Sequence, residues 1–198
     1  MSRHAHQTDR CPRCQLHRKR CCCASLPDVH CSIPIVVVQH WKESLKPTST
    51  GTLLATLMSQ GSVRLHGHRE IPFDPTGLDL PGTWLVFPDR EAPPQLPSSP
   101  PRQLVLLDGN WNQASRMARR IPIVAQLPRL TLTNAARAVR RLRLPPEPSA
   151  RSTMEAAAAA LRMMGHPHTA EELELLHDRF VAATLRQRGL AVDDPVAR

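Results

Sequence analysis

Two groups of residues in this chain have the types and spacing to do chemistry. The first is Asp108-Gly109-Asn110-Trp111, which follows four consecutive apolar residues at 104–107. Such a run suits a strand buried on both faces of a parallel sheet. From Trp111 onward, Ala114, Met117 and Ala118 recur at helical spacing, so 104–117 reads as strand, tight turn and helix. In open α/β sheets the carboxyl ends of strands are where ligands bind. An acid placed there can take a proton, and a tryptophan can wall a pocket or stack on a base. Gly109 permits a tight turn. An ordinary Asp-Gly turn beside a core tryptophan is the alternative reading.

The second group is cysteine. All six cysteines lie between Cys11 and Cys31. Cys11 and Cys14 form a C-x2-C pair, and Cys21 and Cys23 form a C-x-C pair. Four thiolates presented as two close pairs suit a tetrahedral structural zinc site. Cys22 then points away from the metal and Cys31 is a spare thiol. Spacing alone leaves a redox pair or an iron–sulfur cluster open. Between the pairs, Arg18, Lys19 and Arg20 either touch phosphate or keep the knuckle soluble.

These residues need a frame. The run 33–39 is a buried strand with Pro34 near its start. The polar loop after it, 40–51, carries His40, Lys46, Thr48, Ser49, Thr50 and Gly51 and leads into a helical stretch at 52–58. Hydroxyls and amides at such a helix start hold an anion, or simply cap the helix. Residues 61–65 and 83–87 read as further strands, the second closed by Pro88, Glu91 and Ala92. Residues 93–101 hold five prolines and form a surface connection, and 129–132 is a short strand. Ser152 and Glu155 form a capping box that opens a helix through 156–164. Thr169 and Glu172 repeat the pattern and are expected to open the terminal helix, which runs to about Arg188. The expected architecture is α/β: a mostly parallel sheet flanked by helices, with a small N-terminal zinc-binding knuckle. We divide the chain into a Cys-rich segment, 1–31, and a catalytic domain, 32–198. No G-x-G-x-x-G or Walker A loop is present, so the usual phosphate-binding loops are absent.

Composition narrows the partners. The formal net charge is +9, from 26 basic and 17 acidic residues, and only three of the basic residues are lysine. Arginine favours planar, bidentate contact with phosphate, which makes nucleic acid the first candidate. Nine arginines and one acid fall between Arg116 and Arg151, with Arg137, Arg140, Arg141 and Arg143 close together. That cluster suits a surface tracking phosphates, against the alternative of a solvated face. No apolar run approaches the ~20 residues that span a bilayer. No signal-peptide core follows the basic N-terminus, so a cytoplasmic location is expected.

Taken together, these segments resemble the DTW-domain family of tRNA-uridine aminocarboxypropyltransferases. The resemblance covers residues from Cys11 to about Met164. It rests on the cysteine pairs, on His40, Glu43, Lys46, Thr48, Thr50 and Gly51, and on Pro88, Glu91 and Ala92. Asp108 with Trp111, and then Ser152, Thr153, Glu155 and Ala156, complete it. Two positions depart from the family pattern: Ser49 stands for Asn, and Asn110 stands for Thr. The resemblance implies a SPOUT-like sheet with a C-terminal knot and S-adenosylmethionine as donor of a 3-amino-3-carboxypropyl group. It also implies transfer to N3 of a uridine in tRNA. On it, Asp108 is the catalytic base, and the cofactor pocket draws on the 40–51 loop, the Pro88 loop, Gly109, Trp111, Ser152, Thr153 and Glu155. A non-catalytic zinc-ribbon RNA binder and a SPOUT-type methyltransferase are the alternatives. The sequence leaves the modified uridine and the oligomeric state open.

Overall fold

The structure is a computed structural model that describes residues 9–88, 97–132, 142 and 150–190. Five strands form one sheet: β1 (Ile35–His40), β2 (Gly61–His66), β3 (Thr83–Val86), β4 (Gln103–Asp108) and β5 (Arg129–Leu130). Their order is β2-β1-β4-β3-β5, and every pairing is parallel. Each run read as a strand is present, with its ends shifted slightly. β1 begins at Ile35 because Pro34 has no N–H to give a neighbour.

The connections decide where a pocket can form. From β1 the chain runs through α1 (Trp41–Ser44) and α2 (Thr50–Leu57) to β2 at one edge. From β4 it runs through α3 (Trp111–Arg120) and α4 (Pro122–Ala125) to β5 at the other edge. The two connections leave in opposite directions, so a crevice opens between the carboxyl ends of β1 and β4. Gln39 and Asp108 are register partners at that point.

Both faces of the sheet are covered, which accounts for the unbroken apolar runs. Ile35, Val37, Leu104 and Leu106 pack into one cluster with residues of α2, α5 (Thr153–Met163) and α6 (Pro167–Gln187). Val36, Val38 and Val105 face the other way, against Met117, Ala118 and Val124 of α3 and α4. Ala157, Ala158 and Ala160 are buried, and their small side chains let α6 lie close, with Leu173, Leu176 and Phe180 in the same cluster. Among the described residues no helix is long and apolar enough to cross a membrane.

Two helix starts test the capping logic. α5 opens on the expected box: the Ser152 hydroxyl accepts from the Glu155 N–H, and the Glu155 carboxylate accepts from the Ser152 N–H. α6 does not open at Thr169. It begins at Pro167, whose fixed φ suits a first helical position, and Thr169 is already inside the helix. Gly165, at φ +81, turns the chain between the two helices.

The Cys-rich segment is packed onto the rest of the fold. Leu16, Leu26, Val29 and Cys31 belong to the same buried cluster as Phe180 of α6. Arg179 Nη1 donates to the Ser25 carbonyl at 2.8 Å, and the His17 N–H donates to Gln187 Oε1 at 3.0 Å. The Arg20 guanidinium donates to the Arg186 carbonyl.

Candidate active site and metal centre

Asp108 ends β4 and is buried, at 6% exposure. Three side chains from three elements donate to its carboxylate. Gln39 Nε2 at the end of β1 reaches Oδ2 at 2.7 Å, and Ser49 Oγ at the start of α2 reaches Oδ2 at 2.9 Å. Thr153 Oγ1 at the start of α5 reaches Oδ1 at 2.6 Å. All three of these donors are neutral. The N-termini of α2 and α5 both lie against it, and helix N-termini favour an anion. Three of the carboxylate's four lone-pair positions are thereby occupied, which leaves one on Oδ1.

This arrangement needs Gly51. A Cβ there would come within 2.5 Å of Asp108 Cγ, so only glycine lets α2 begin this close to the acid. Gly109 serves a related purpose: a Cβ on it would meet Gln113 Cβ at 2.9 Å. The sequence suggests that Gly109 permits a tight turn. Its φ is not positive, and the constraint is close packing against α3.

A cavity of about 560 Å³ opens beside Asp108. Of the predicted cofactor residues, Thr48, Ser49, Thr50, Pro88, Gly109 and Trp111 line it. Ser152, Thr153 and Glu155 line it from α5. Trp111 stacks on Phe87, with ring centroids 5.9 Å apart and planes 22° from parallel, and the pair forms an aromatic wall. His40 is not brought into the cavity. It caps α1 through the Lys42 N–H and stacks on Trp41, and burial followed by nearby His66 and Lys42 pushes its imidazole below the ordinary value. Lys46 pairs with the buried Glu43 carboxylate, and Glu43 lines the cavity. Glu91 and Ala92 lie outside the described residues.

Sequence reasoning missed three residues of this site. Gln39 bridges Asp108, Ser49 Oγ at 2.9 Å and Thr52 Oγ1 at 2.8 Å. Its signal was a polar residue ending an apolar strand. Phe87 carried no signal beyond its place at the end of a strand. His177 of α6 is 3% exposed, lines the cavity, and lies 3.3 Å through Nε2 from Ser152 Oγ. It occupies a slot in the apolar stripe of Leu173, Leu176 and Phe180, where a histidine is out of character.

The cysteines form a separate centre. Cys11, Cys14, Cys21 and Cys23 bring their sulfurs within 4.8 Å of one another. Cys11 and Cys23 are 3.5 Å apart, and Cys14 and Cys21 are 3.8 Å apart. Tetrahedral zinc with Zn–S bonds near 2.3 Å places its sulfurs about 3.8 Å apart, so the four fit such an ion. Cys22 and Cys31 stand outside the set. Burial, with the charges of Cys14 and Cys21, pushes the Cys22 thiol up to about 12. Burial works against ionisation at Cys11 too, yet backbone N–H groups of Cys14 and Arg13 bring it down to about 6, as suits a thiolate ligand. Arg18, Lys19 and Arg20 form an exposed 3-10 turn between the pairs. Arg137, Arg140, Arg141 and Arg143 lie outside the described residues.

Residues 8–185 match the DTW domain. The chain belongs to the DTW-domain family. Three curated relatives carry the name tRNA-uridine aminocarboxypropyltransferase 2. The Drosophila melanogaster protein is 28% identical over 170 residues, covering 80% of this chain and 68% of the relative. Those of Macaca fascicularis and Mus musculus are 27% and 26% identical over 81% of this chain and 58% of their own length. The chain thus spans about 58–68% of the length of these curated relatives. No solved structure matches it.

Proposed function

We propose that this DTW protein is a tRNA-uridine aminocarboxypropyltransferase that moves the 3-amino-3-carboxypropyl group of S-adenosylmethionine to N3 of a uridine, releasing 5′-methylthioadenosine. The observation that carries the reading is Asp108: a buried carboxylate with only neutral donors, at the switch point of the sheet, lining a cavity large enough for a nucleoside. An anion so placed suits a cationic donor molecule. The names of the relatives support the same activity.

Bound in the cavity, S-adenosylmethionine supplies a γ-carbon made electrophilic by the adjacent sulfonium. The chain's residues do the rest. Trp111 and Phe87 offer a flat apolar wall for a purine or a uracil. Thr48, Ser49, Thr50 and Gly51, with Pro88, Glu91 and Ala92, contact the adenosyl and amino-acid groups. Ser152, Thr153 and Glu155 close the pocket from α5, and their positions set which carbon faces the acceptor. Asp108 accepts the uridine N3 proton at its remaining Oδ1 position. Zinc in the cysteine centre is structural, and its thiolate bonds hold the knuckle's fold. Arg18, Lys19, Arg20, Arg137, Arg140, Arg141 and Arg143 bind tRNA phosphates. The reading includes the SPOUT-like relationship with a C-terminal knot and a cytoplasmic location. The all-parallel sheet with its pocket at strand carboxyl ends supports the former.

Nucleoside mass spectrometry of tRNA incubated with protein and S-adenosylmethionine tests the proposal. Aminocarboxypropyluridine is the expected product. Methyluridine would assign a methyltransferase, and unmodified uridine in tRNA that is nevertheless bound would assign a binding protein.

A further inference from the structure

A proton accepted by the buried Asp108 carboxylate has to reach solvent before the next turnover. The geometry points to a proton relay, Ser152–His177–Asp178, leading from the cavity to the surface. This inference rests on the transfer reaction proposed above.

Ser152 lines the same cavity as Asp108, and its Oγ lies 3.3 Å from His177 Nε2. Ser152 Oγ already accepts from the Glu155 N–H, so its own hydrogen is free to point at Nε2. The other imidazole nitrogen is the telling one. Among the described residues, His177 Nδ1 is buried and has no hydrogen-bond partner, and the same is true of Asp178 Oδ1. Buried polar atoms are nearly always paired, and exceptions call for an explanation. These two lie 3.8 Å apart, an ion-pair distance that a small rotation would turn into a hydrogen bond. One hydrogen on Nδ1 would serve both atoms. It also leaves Nε2 as the acceptor that the Ser152 hydroxyl requires. The Asp178 side chain is 36% exposed, whereas that of His177 is 4% exposed, so the chain of groups ends in water.

The step conserves protons and involves no redox change. The proton passes from Asp108 to a water in the cavity, and that water protonates Ser152 Oγ as the hydroxyl's own hydrogen passes to His177 Nε2. The Nδ1 hydrogen then passes to the Asp178 carboxylate and on to water, and rotation of the groups resets the chain. Charged or titratable groups facing this path are Glu155 on α5, Asp108 and Arg151 at the cavity, and Asp178 on α6 itself. Ser152 is the member that meets the reacting partner, and His177 and Asp178 act through it.

The test uses the full chain with tRNA and S-adenosylmethionine. His177→Gln keeps a hydrogen-bonding group near Nε2 but cannot pass a proton. We expect its first turnover to stay near wild type and later turnovers to slow by about 10²-fold, the lower end of the loss when a proton-transfer group is removed. Asp178→Asn, nearer the surface, should show the same pattern more mildly. Adding imidazole buffer should restore later turnovers in His177→Ala, a rescue that a purely structural role would not produce. Independently of activity, ¹⁵N shifts of the imidazole should report the Nδ1–H tautomer of His177. Wild-type later turnovers in His177→Gln, a His177→Ala defect that imidazole leaves unchanged, or an Nε2–H tautomer would each overturn the relay. Wild-type protein that makes no aminocarboxypropyluridine would overturn the parent reaction, and the relay with it.

Discussion

Asp108 receives hydrogen bonds from β1, α2 and α5 at once, so a change at this residue is felt in three elements. Asp108→Asn turns one acceptor into a donor facing Gln39 or Thr153. A conflict of that kind costs about 1–3 kcal/mol. In the role proposed for it, as proton acceptor, the residue also has to be basic. We expect single-turnover transfer to fall by ~10²–10⁴ while S-adenosylmethionine binding, measured by calorimetry, stays near wild type. Retained turnover would reduce Asp108 to a packing residue, and lost binding would make it a ligand for the cofactor's ammonium group. The acid itself was legible in the sequence, because it follows four consecutive apolar residues and precedes a glycine. Its partners were legible only in part. Ser49 was visible as a cap and Thr153 as the neighbour of the Ser152 cap, but nothing local ties Gln39 to Asp108, which lies 69 residues away. His177 was hidden for the opposite reason: it sits in an apolar stripe, and helical spacing reads every member of a stripe as core.

At the scale of elements, the site is an assembly of helix starts. Ser49 caps α2, Asn110 caps α3 and Ser152 caps α5, and all three line the cavity. This gives the two departures from the family pattern a physical sense. Asn110 Oδ1 accepts from the Gln113 N–H at 2.9 Å, and Gln113 Oε1 accepts from the Asn110 N–H at 2.8 Å. Thr and Asn are both competent caps, and so are Ser and Asn at position 49. We expect Asn110→Thr to change unfolding free energy by less than about 0.5 kcal/mol, and Asn110→Ala to cost about 1 kcal/mol, read from urea titrations. Equal losses in both would place the residue's value outside capping. Gly51→Ala is the harsher test. Its Cβ would press on Asp108, which should cost about 1–3 kcal/mol and weaken cofactor binding as α2 is pushed back. An alanine variant with normal stability and affinity would show that α2 can begin further out. The strands were readable as apolar runs because both faces of the sheet are covered. The strand order was not, because it depends on contacts between distant segments. The start of α6 was misread because Pro167 supplies a first turn before the Thr169 cap could act.

Over the whole molecule, the cysteine cluster and the arginines between 137 and 143 carry the remaining tests. Chelation should release one zinc per chain and lower the unfolding temperature. A metal present at a thousandfold over its dissociation constant contributes about 4 kcal/mol. Cys14→Ser with Cys23→Ser should remove both the metal and this difference; full zinc content in the double variant would refute the ligand set. Replacing Arg137, Arg140, Arg141 and Arg143 by Ala should weaken tRNA binding and flatten its log–log salt slope by up to about 3. An unchanged slope would leave that cluster a solvated face. The two ends of this molecule also share a component. α6 presents His177 to the cavity near its middle, and Arg186 and Gln187 grip the cysteine knuckle at its end. Those points are about 15 Å apart along the axis. A helix advances about 100° per residue, so one residue inserted at Ala183 would turn the gripping end a quarter-turn away from the knuckle while His177 stayed in place. Seven inserted residues would nearly restore the angle but move the grip about 10 Å further along the axis. Between His177 and Gln187, then, the chain is under a length constraint set by helical phase, one that substitutions do not feel and that insertions or deletions of any size violate.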